Sequence, residues 1–456
     1  MLAVMSHEPL LEKLLKLPPG SRKVADIYRA FEQAASTGAL TAGTQLPTVR
    51  ALATDLGVNK NTIASAYKAL LESGVIITDG RRGSVVARRH QERPAFGPPH
   101  LARDLVALHD GNPDPAFLPT QSELSAAFAA LDLAPPRLYG EAPNVPALLE
   151  WAHAAFAADG LSGAGIFVSG GALDALERAL RTQLKPGDKV AVEDPGYFTI
   201  LALVRSLGLR PVPLASDADG IQPASLAASL AGGCRAVVFS TRAQNPTGAV
   251  TTAQRAEELR PLAQQHPEVL FLDDDHSSLL ALAPYAYWHG EAARWLTIRS
   301  FSKFLGPDLR VAVSTGDTAT LAKLDYAQAT SMGWISSLLQ GLVVQLLHNP
   351  QVQERITAAG VAYRARYAYL QTGLAALGLP APGRAGLNLW LPLAEATTAA
   401  QGLLAKGWLV RPGTDFSVQN VPGIRLTTAR LPAEQAEQLL AALRELRMPS
   451  TRTSLA

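Results

Sequence analysis

A reactive amine and two anion-binding side chains lie close together near residue 300. Lys303 follows Ser300 by three residues and precedes Arg310 by seven. A lysine amine can attack an aldehyde, and a hydroxyl or a guanidinium can hold a phosphate group. Lysine is common, so this spacing alone is a weak signal. The prediction of a covalent site therefore depends on partners elsewhere in the chain.

Several polar segments come at the ends of predicted elements and supply such partners. Asn245 and the three consecutive carboxylates 273–275 each follow a short apolar run. Gly171 and Ala172 stand immediately before a predicted helix. Backbone amides at a helix N-terminus bind phosphate well. These segments predict a pocket that combines an amine, carboxylates and an anion cradle.

The elements that must position these residues alternate between strands and helices. Short apolar runs occur at 190–192, 236–239, 269–272 and 295–298, separated by amphipathic helical patterns. Such alternation is typical of an α/β fold with a mainly parallel sheet.

The segment around Lys303, with these partners in chain order, resembles the fold-type I enzymes that use pyridoxal 5'-phosphate (PLP). The resemblance extends over seven segments and about 300 residues. It implies that Lys303 carries PLP as a Schiff base, the internal aldimine, and that Ser300 and Arg310 bind the phosphate. It also implies that Gly171 and Ala172 form the phosphate cradle.

The same resemblance assigns roles around the cofactor ring. It implies that Asn245 hydrogen-bonds the ring hydroxyl, that Tyr197 stacks on the pyridine, and that one carboxylate of 273–275 pairs with the ring nitrogen. We select Asp274 for that carboxylate. Related regulators usually carry tyrosine where His276 stands, so His276 supplies a similar hydrogen bond or none.

Two further residues complete the implied site. Tyr139 matches a tyrosine that crosses to the phosphate of a partner subunit, and Arg425 matches the arginine that grips a substrate carboxylate. The resemblance therefore implies a head-to-tail homodimer, and a small-molecule effector that is PLP itself, an amine or an amino acid.

The N-terminal part has a different character. Ten basic and five acidic residues lie between 21 and 90, so this part carries +5 while the rest of the chain carries −3. Helical patterns at 22–36, 48–56 and 59–72 precede a strand-turn-strand pattern at 75–86. This order is typical of a winged helix-turn-helix, and a basic module is typical of a partner for nucleic acid.

Segments 46–53, 58–63 and 66–70 make this part similar to the GntR family of bacterial regulators. The resemblance implies binding to a double-stranded DNA operator, with the helix beginning at residue 59 in the major groove. The residues expected to contact DNA lie on two helices and at the tip of the wing: Thr48, Arg50, Lys60, Asn61, Thr62, Arg81 and Arg82.

The two resemblances divide the chain into five parts. We expect an N-terminal tail at 1–20, the winged helix-turn-helix at 21–87, a Pro-rich linker at 88–106, an aminotransferase-like domain at 107–448 and a tail at 449–456. Their combination resembles the MocR group of the GntR family over nearly the whole chain.

Composition excludes several other classes of protein. The chain has one cysteine, Cys234, so an internal disulfide is impossible and a reducing cytoplasm is expected. No window approaches the length of about 20 apolar residues that a membrane span needs. No signal peptide and no metal site are predicted.

Three functional hypotheses follow. In the first, the chain is a transcription regulator that senses PLP, and hence vitamin B6 status, or an amine through Lys303. In the second, it is an active PLP-dependent aminotransferase that carries a DNA-binding domain. In the third, it is a cofactor-free regulator with a vestigial Lys303. The sequence does not identify the operator, or whether binding activates or represses.

Overall fold

The computed structural model describes residues 23–36, 40, 43–72, 75–79, 83–86, 105–132 and 137–446. The chain divides into two units, an N-terminal one and a larger C-terminal one. Each is described by itself.

The N-terminal unit contains three helices and a hairpin, in the order that the sequence predicts. They are α1 (Val24–Ser36), α2 (Val49–Leu56), α3 (Lys60–Glu72), β1 (Ile76–Asp79) and β2 (Gly83–Val86). Thr48 caps α2 because its hydroxyl accepts a hydrogen bond from the amide of Ala51 at 3.2 Å. The predicted winged helix-turn-helix is confirmed.

This unit has its own apolar core. The ring of Tyr67 packs edge-on against that of Phe31 at 5.8 Å, and its hydroxyl donates to the carbonyl of Pro47 at 2.8 Å. Tyr67 thus pins α3 to the segment that leads into α2. This contact fixes the angle at which α3 presents its first turn.

The C-terminal unit is built on an eight-stranded sheet of order β4-β11-β10-β9-β8-β5-β6-β7. Its strands are β4 (Ile166–Ser169), β5 (Lys189–Asp194), β6 (Arg210–Asp217), β7 (Gly220–Ile221), β8 (Cys234–Phe239), β9 (Leu270–Asp274), β10 (Trp295–Ser300) and β11 (Ala312–Gly316). The five strands from β10 to β6 are parallel to their neighbours, whereas β11 and β7 pair antiparallel. The predicted α/β class with a mainly parallel sheet is confirmed.

Helices accompany this sheet, and their apolar faces bury its central strands. They are α4 (Gln121–Ala129), α5 (Pro146–Ala158), α6 (Ala172–Gln183), α7 (Phe198–Ser206), α8 (Pro223–Ala231), α9 (Ala253–Gln264), α10 (Thr318–Ala329), α11 (Ser337–His348) and α12 (Pro350–Ala376). Parallel strands covered on both faces read as continuous apolar runs. For this reason the strands were visible in the sequence.

A second, smaller core lies toward the C-terminus of the same unit. It surrounds a three-stranded sheet of β12 (Asn388–Pro392), β15 (Gly423–Thr427) and β14 (Arg411–Pro412), with α13 (Ala396–Ala405) and α14 (Ala433–Glu445). Strand β3 (Val106–Ala107) pairs with β13 (Trp408–Leu409). The chain therefore enters the C-terminal unit beside this smaller core.

Candidate functional site

The ends of the parallel strands bring the predicted residues to one edge of the sheet. Ser300 at the end of β10 pairs with Ala312, which pairs with Ser169 at the end of β4. Asp274 at the end of β9 pairs with Ile298 of β10. In open α/β sheets, ligands bind at the carboxyl ends of strands. The register thus places the amine, the carboxylates and the helix N-terminus around one edge.

Lys303 lies in the turn after β10, and its Nζ donates to the carbonyl of Gly111 at 2.9 Å. Burial, with a contribution from the charge of Arg425, lowers the pKa of Lys303 to about 8. Asp110 and Asp274 act in the opposite direction with smaller effect. At neutral pH a larger fraction of this amine is therefore neutral and nucleophilic than in an ordinary lysine.

The three consecutive aspartates differ in their hydrogen bonds. Asp273 accepts from the amide and hydroxyl of Thr241 at 3.0 and 2.8 Å and from the hydroxyl of Tyr285. Asp275 accepts from Arg242 and Arg299. Asp274 is 5% exposed, yet its Oδ1 has no partner among the described residues.

The surroundings of Asp274 raise the pKa of its carboxyl group. Burial, followed by the neighbouring charges of Asp273 and Asp275, raises its pKa to about 7. Lys303 partly offsets this effect. A buried carboxylate without a partner needs a cation or a donor beside it. Asp274 is also the carboxylate that the sequence analysis selected, and its pairing with a ring nitrogen stays a prediction.

His276 lies two residues beyond Asp274 in the same pocket. Burial and the charge of Lys303 lower its pKa to about 4, while backbone groups of Asp274 and Ala243 bond its ring. The imidazole is therefore neutral at physiological pH.

Arg425 on β15 lies at the other side of Lys303. Its guanidinium donates to the Oδ1 of Asn245 at 3.2 Å and to the carbonyl of His109 at 2.5 Å, and it lies over the ring of Phe416. It is 1% exposed, and no carboxylate in the described part of the chain forms a salt bridge with it. Burial disfavours the charged form of the guanidinium and lowers its pKa to about 10. A buried guanidinium without a carboxylate partner is suited to binding an anion.

The residues predicted to form an anion cradle lie at the N-terminus of α6. Gly171 has φ +106°, and Arg310 donates to the carbonyl of Gly170 at 3.1 Å. A Cβ at residue 171 would lie 2.6 Å from the Arg310 Nη2. Amides at a helix start and an adjacent guanidinium together suit a phosphate. Ala172, the other predicted cradle residue, is the first residue of α6. Ser300, the predicted phosphate ligand after β10, accepts a hydrogen bond through its hydroxyl from the amide of Ser302.

The remaining predicted residues lie in two places. Tyr197 follows β5 and raises the pKa of Arg425 through its charge, so it lies near Arg425. Tyr139 does not reach the pocket of its own chain. Its side chain is 92% exposed, and its ring contacts Trp334 edge-on at 5.5 Å.

The structure adds residues that the sequence analysis did not select. The carbonyls of His109 and Gly111 hold Arg425 and Lys303, respectively. Gly111 has φ +69°, and a Cβ there would lie 3.3 Å from the Arg425 guanidinium. The turn-forming sequence around Gly111 is the signal that would have marked this segment.

A partly buried ion pair also lies next to the N-terminus of α6. Asp174 accepts from the amide of Gly170 at 2.9 Å and from the Nε of Arg178 at 2.8 Å. Arg178 in turn donates to the carbonyl of Ala327 and the hydroxyl of Ser331. These bonds connect the cradle to the segment that carries Trp334.

In the N-terminal unit, the first turn of α3 is accessible. Lys60 and Asn61 are exposed and Thr62 is half-buried, as expected for a surface that docks in a groove. The side chain of Asn59 accepts from the amide of Asn61 at 2.9 Å. Thr48 and Arg50 are exposed at the start of α2. Arg81 and Arg82 lie outside the described residues.

Two family models match the chain. Residues 23–86 match the bacterial regulatory proteins of the gntR family, and residues 145–443 match aminotransferase class I and II. The chain is also 40% identical over 423 residues to the vitamin B6 salvage pathway transcriptional repressor PtsJ of Salmonella typhimurium, covering 91% of this chain and 96% of that protein. The chain is a MocR-type regulator of the GntR family.

Two other relatives of this MocR-type regulator are more distant. The transcriptional regulator TauR of Rhodobacter capsulatus is 26% identical over 427 residues, covering 83% of this chain and 86% of that protein. The pyridoxine biosynthesis transcriptional regulator PdxR of Corynebacterium glutamicum is 28% identical over 255 residues, covering 53% and 54%. Both relatives, like the PtsJ relative, are named as transcriptional regulators or repressors.

Solved structures support the fold of the C-terminal unit. Kynurenine aminotransferase of Pyrococcus horikoshii aligns with a TM-score of 0.68 at 20% identity, covering 76% of this chain and 92% of that one. Aspartate aminotransferase of Thermus thermophilus aligns with a TM-score of 0.66 at 24% identity, covering 75% and 92%. At these identities the likeness shows the aminotransferase fold alone.

This MocR-type regulator is therefore a transcriptional regulator with an aminotransferase-like domain. None of the helices in the described part of the chain combines the length and apolarity that a bilayer crossing requires. Among the same residues, no cluster of three or more potential metal ligands occurs.

Proposed function

We propose that this regulator binds PLP covalently on Lys303 and converts occupancy of the pocket into a change in DNA binding. One observation carries the proposal: a lysine of lowered pKa faces a buried, unpartnered Asp274, and the N-terminus of α6 lies at the same sheet edge. An electron-poor ring with a cationic nitrogen and a phosphate would satisfy these groups together.

The pocket residues fit PLP one by one. Asp274 would pair with the ring nitrogen, Tyr197 would stack on the ring, and Asn245 and His276 would lie at the ring hydroxyl. When bound, PLP supplies an aldehyde carbon on which amines exchange and a ring that withdraws electrons. The cradle residues would hold the phosphate: Gly171, Ala172, Ser300 and Arg310.

Arg425 gives the pocket a place for an effector. The Nε of its buried guanidinium has no hydrogen-bond partner, and no carboxylate of the described chain pairs with it. An amino acid that displaces Lys303 would place its carboxylate there. Alternatively PLP itself is the signal, a hypothesis favoured by the name of the PtsJ relative as a vitamin B6 salvage repressor.

We further propose that the regulator works as a head-to-tail homodimer. Tyr139, Leu138 and Met332 are 92%, 68% and 53% exposed, which is unusual for large apolar side chains. A second copy that covers them would bring Tyr139 to the partner's phosphate cradle. A ligand changes the spacing of the two heads only if it binds one dimer state better than the other. The linker at 88–106 would transmit that change.

Enlarging the cradle glycine is expected to weaken PLP binding. In Gly171→Ala, the new methyl group meets the Arg310 guanidinium at 2.6 Å, and the positive φ adds backbone strain. We expect the Kd for PLP, measured by absorbance titration, to rise at least tenfold. Gly407→Ala is the matched control because Gly407 has φ +88° and open space around it. Equal effects of the two substitutions would show that strain alone is responsible.

Substitutions in the first turn of α3 test the DNA-binding part of the proposal. We expect Asn61→Ala to weaken specific operator binding by roughly 10- to 100-fold, because a lost base contact costs about 1–3 kcal/mol. Arg50→Ala should lower the slope of log K against log salt by about one if Arg50 contacts phosphate. Arg29→Ala, which removes an exposed arginine of α1, is the control.

The decisive experiment combines both parts. Purified protein is titrated with PLP, and binding to its own promoter region is measured by fluorescence anisotropy at a stated salt concentration. We expect a visible absorbance band that borohydride fixes to Lys303, and a DNA affinity that changes with occupancy. If the DNA affinity is identical with and without PLP, the proposal that PLP occupancy controls DNA binding is wrong.

An aminotransferase is the second candidate function. Arg425 bonds Asn245, and the charges of Arg425 and Asp274 act on Lys303, so groups suited to proton transfer and carboxylate binding lie close together. A transamination assay over an amino-acid panel separates the two functions. Turnover of about 1 s⁻¹ or more without DNA binding would favour the enzyme.

A further inference from the structure

Two arginines stand opposite each other on neighbouring strands of the three-stranded sheet. In the antiparallel pair β14 and β15, Arg411 is the direct partner of Arg425. Side chains of directly opposed residues project from the same face of a sheet, with Cβ atoms about 5 Å apart. The register therefore places a second guanidinium beside the one that borders Lys303.

Aromatic rings fix the orientation of both guanidiniums. Arg411 stacks over Phe198 at 3.9 Å from the ring centroid, and Arg425 lies 4.9 Å from the centroid of Phe416. The two rings contact each other at 5.5 Å, and Phe198 also contacts Tyr197 at 5.0 Å. Arg411 is thus held on a row of aromatic rings that leads directly to the ring-stacking tyrosine.

The hydrogen bonds of Arg411 leave its outer edge available. Its Nε donates to Asp415 at 3.1 Å, and its two terminal nitrogens have no partner in the described part of the chain. By contrast, Arg255 and Arg242 each use a terminal nitrogen on a carboxylate. A planar guanidinium with two parallel free N–H groups is suited to a carboxylate.

The two acids that raise the pKa of Arg425 already have arginine partners, Asp110 with Arg430 and Asp415 with Arg411. Arg411 lowers the pKa of Arg425, as expected for two cations held close together. Their nearest acid on β14 and the following turn is Asp415, whose side chain is 48% exposed and therefore screened by water. Lys303 adds a third cationic group on the pocket side. A ligand with two negative charges would relieve this repulsion better than one with a single charge.

We propose that Arg411 is a second anion-binding residue of the effector pocket, and that the effector class is a dicarboxylic amino acid. One carboxylate would bind Arg425 and the other the open edge of Arg411, while the aromatic row covers the carbon chain. This inference rests on the proposed effector site at Arg425 and adds the specificity of that site.

Unreactive acids of equal length test the second subsite in the full-length protein. Glutarate and adipate are compared with pentanoate and hexanoate by isothermal titration calorimetry. We expect the diacids to bind at least tenfold more tightly than the monoacids. Arg411→Gln should reduce diacid affinity to the level of the monoacids and leave monoacid affinity unchanged. Arg260→Gln, which removes a surface arginine beside Glu291, should change neither.

The substitution Asp415→Asn separates ligand binding from a merely structural role. It removes the acid that competes for Arg411, so diacid affinity should rise. If the Arg411–Asp415 pair only stabilised the fold, both substitutions would weaken binding of mono- and diacids alike, and the inference would be wrong. Equal binding of the two acid classes to the parent, or no binding of either, would also overturn it.

Arg425→Gln distinguishes a failure of this inference from a failure of the proposed function. Suppose that the parent binds diacids and monoacids equally well and that Arg425→Gln abolishes binding of both. The effector site at Arg425 is then correct, and only the role of Arg411 is wrong. If Arg425→Gln changes the binding of neither acid, the effector site itself is wrong. PLP titration of the same preparations reports on the cofactor independently of both results.

Discussion

Lys303→Ala is expected to eliminate covalent PLP uptake and to raise the Kd for PLP more than about 100-fold, a loss of about 2.7 kcal/mol. The substitution removes the only amine that the described structure places beside Asp274 and Arg425. Asp274 and the cradle would still bind PLP weakly. Absorbance titration followed by borohydride reduction and peptide mass analysis measures the effect. Lys323→Ala, an exposed lysine of α10, is the control.

The pH dependence of uptake provides a second readout for Lys303. Its pKa of about 8 means that about one amine in ten is neutral at pH 7, against fewer than about one in a thousand for an ordinary lysine. The rate of attachment should therefore rise about tenfold per pH unit below 8 and level off above it. A rate that keeps rising to pH 10 would contradict the lowered pKa. An unchanged spectrum in Lys303→Ala would contradict the covalent site.

Asp274→Asn is expected to stabilise the protein without PLP and to weaken PLP binding. The folded-state pKa of Asp274 is about 7, above its ordinary value of 3.8. Between these values the folded state binds more protons than the unfolded state, so the free energy of unfolding falls as pH rises toward 7. The asparagine removes this penalty, a gain of up to about 4 kcal/mol above pH 7 that disappears below about pH 4.

The neighbouring aspartate is the matched control for this prediction. Asp275→Asn leaves the buried Arg242 and Arg299 with only the partly exposed Asp159 as a carboxylate partner, which should cost up to about 3–5 kcal/mol. Urea unfolding at pH 4 and pH 8 measures both variants without PLP. PLP titration should show weaker binding to Asp274→Asn, because the ring nitrogen loses its anionic partner. Destabilisation by both substitutions would contradict an unpartnered Asp274.

Much of the fold was visible in the sequence because its physical causes are local. Strands buried on both faces must be apolar throughout, and this pattern located β5, β8, β9 and β10 to within a few residues. The start of α2 followed from Thr48, whose hydroxyl caps the helix. One of the boundary differences lies at the candidate site: Asp273 and Asp274, expected after strand 269–272, belong to β9. Their pairing with Thr297 and Ile298 extends the strand past its apolar run.

The contacts that make the pocket work depend on residues far apart in the chain. Lys303 bonds a carbonyl 192 residues earlier, and Arg425 bonds one 316 residues earlier. No local pattern records such pairs, because they form only when strands and the smaller core pack together. The opposed placement of Arg411 and Arg425 likewise depends on the register of β14 and β15.

By itself, the sequence determined the order of the motifs and the two domain types and supplied the candidate reactive groups, since these are properties of residue type and short spacing. Only the tertiary structure decided which of three adjacent aspartates lacks a partner and which backbone carbonyls hold the lysine and the arginine. It also decided that Tyr139 faces away from its own pocket. Burial and hydrogen bonding set these properties, and both arise only when distant segments exclude water together.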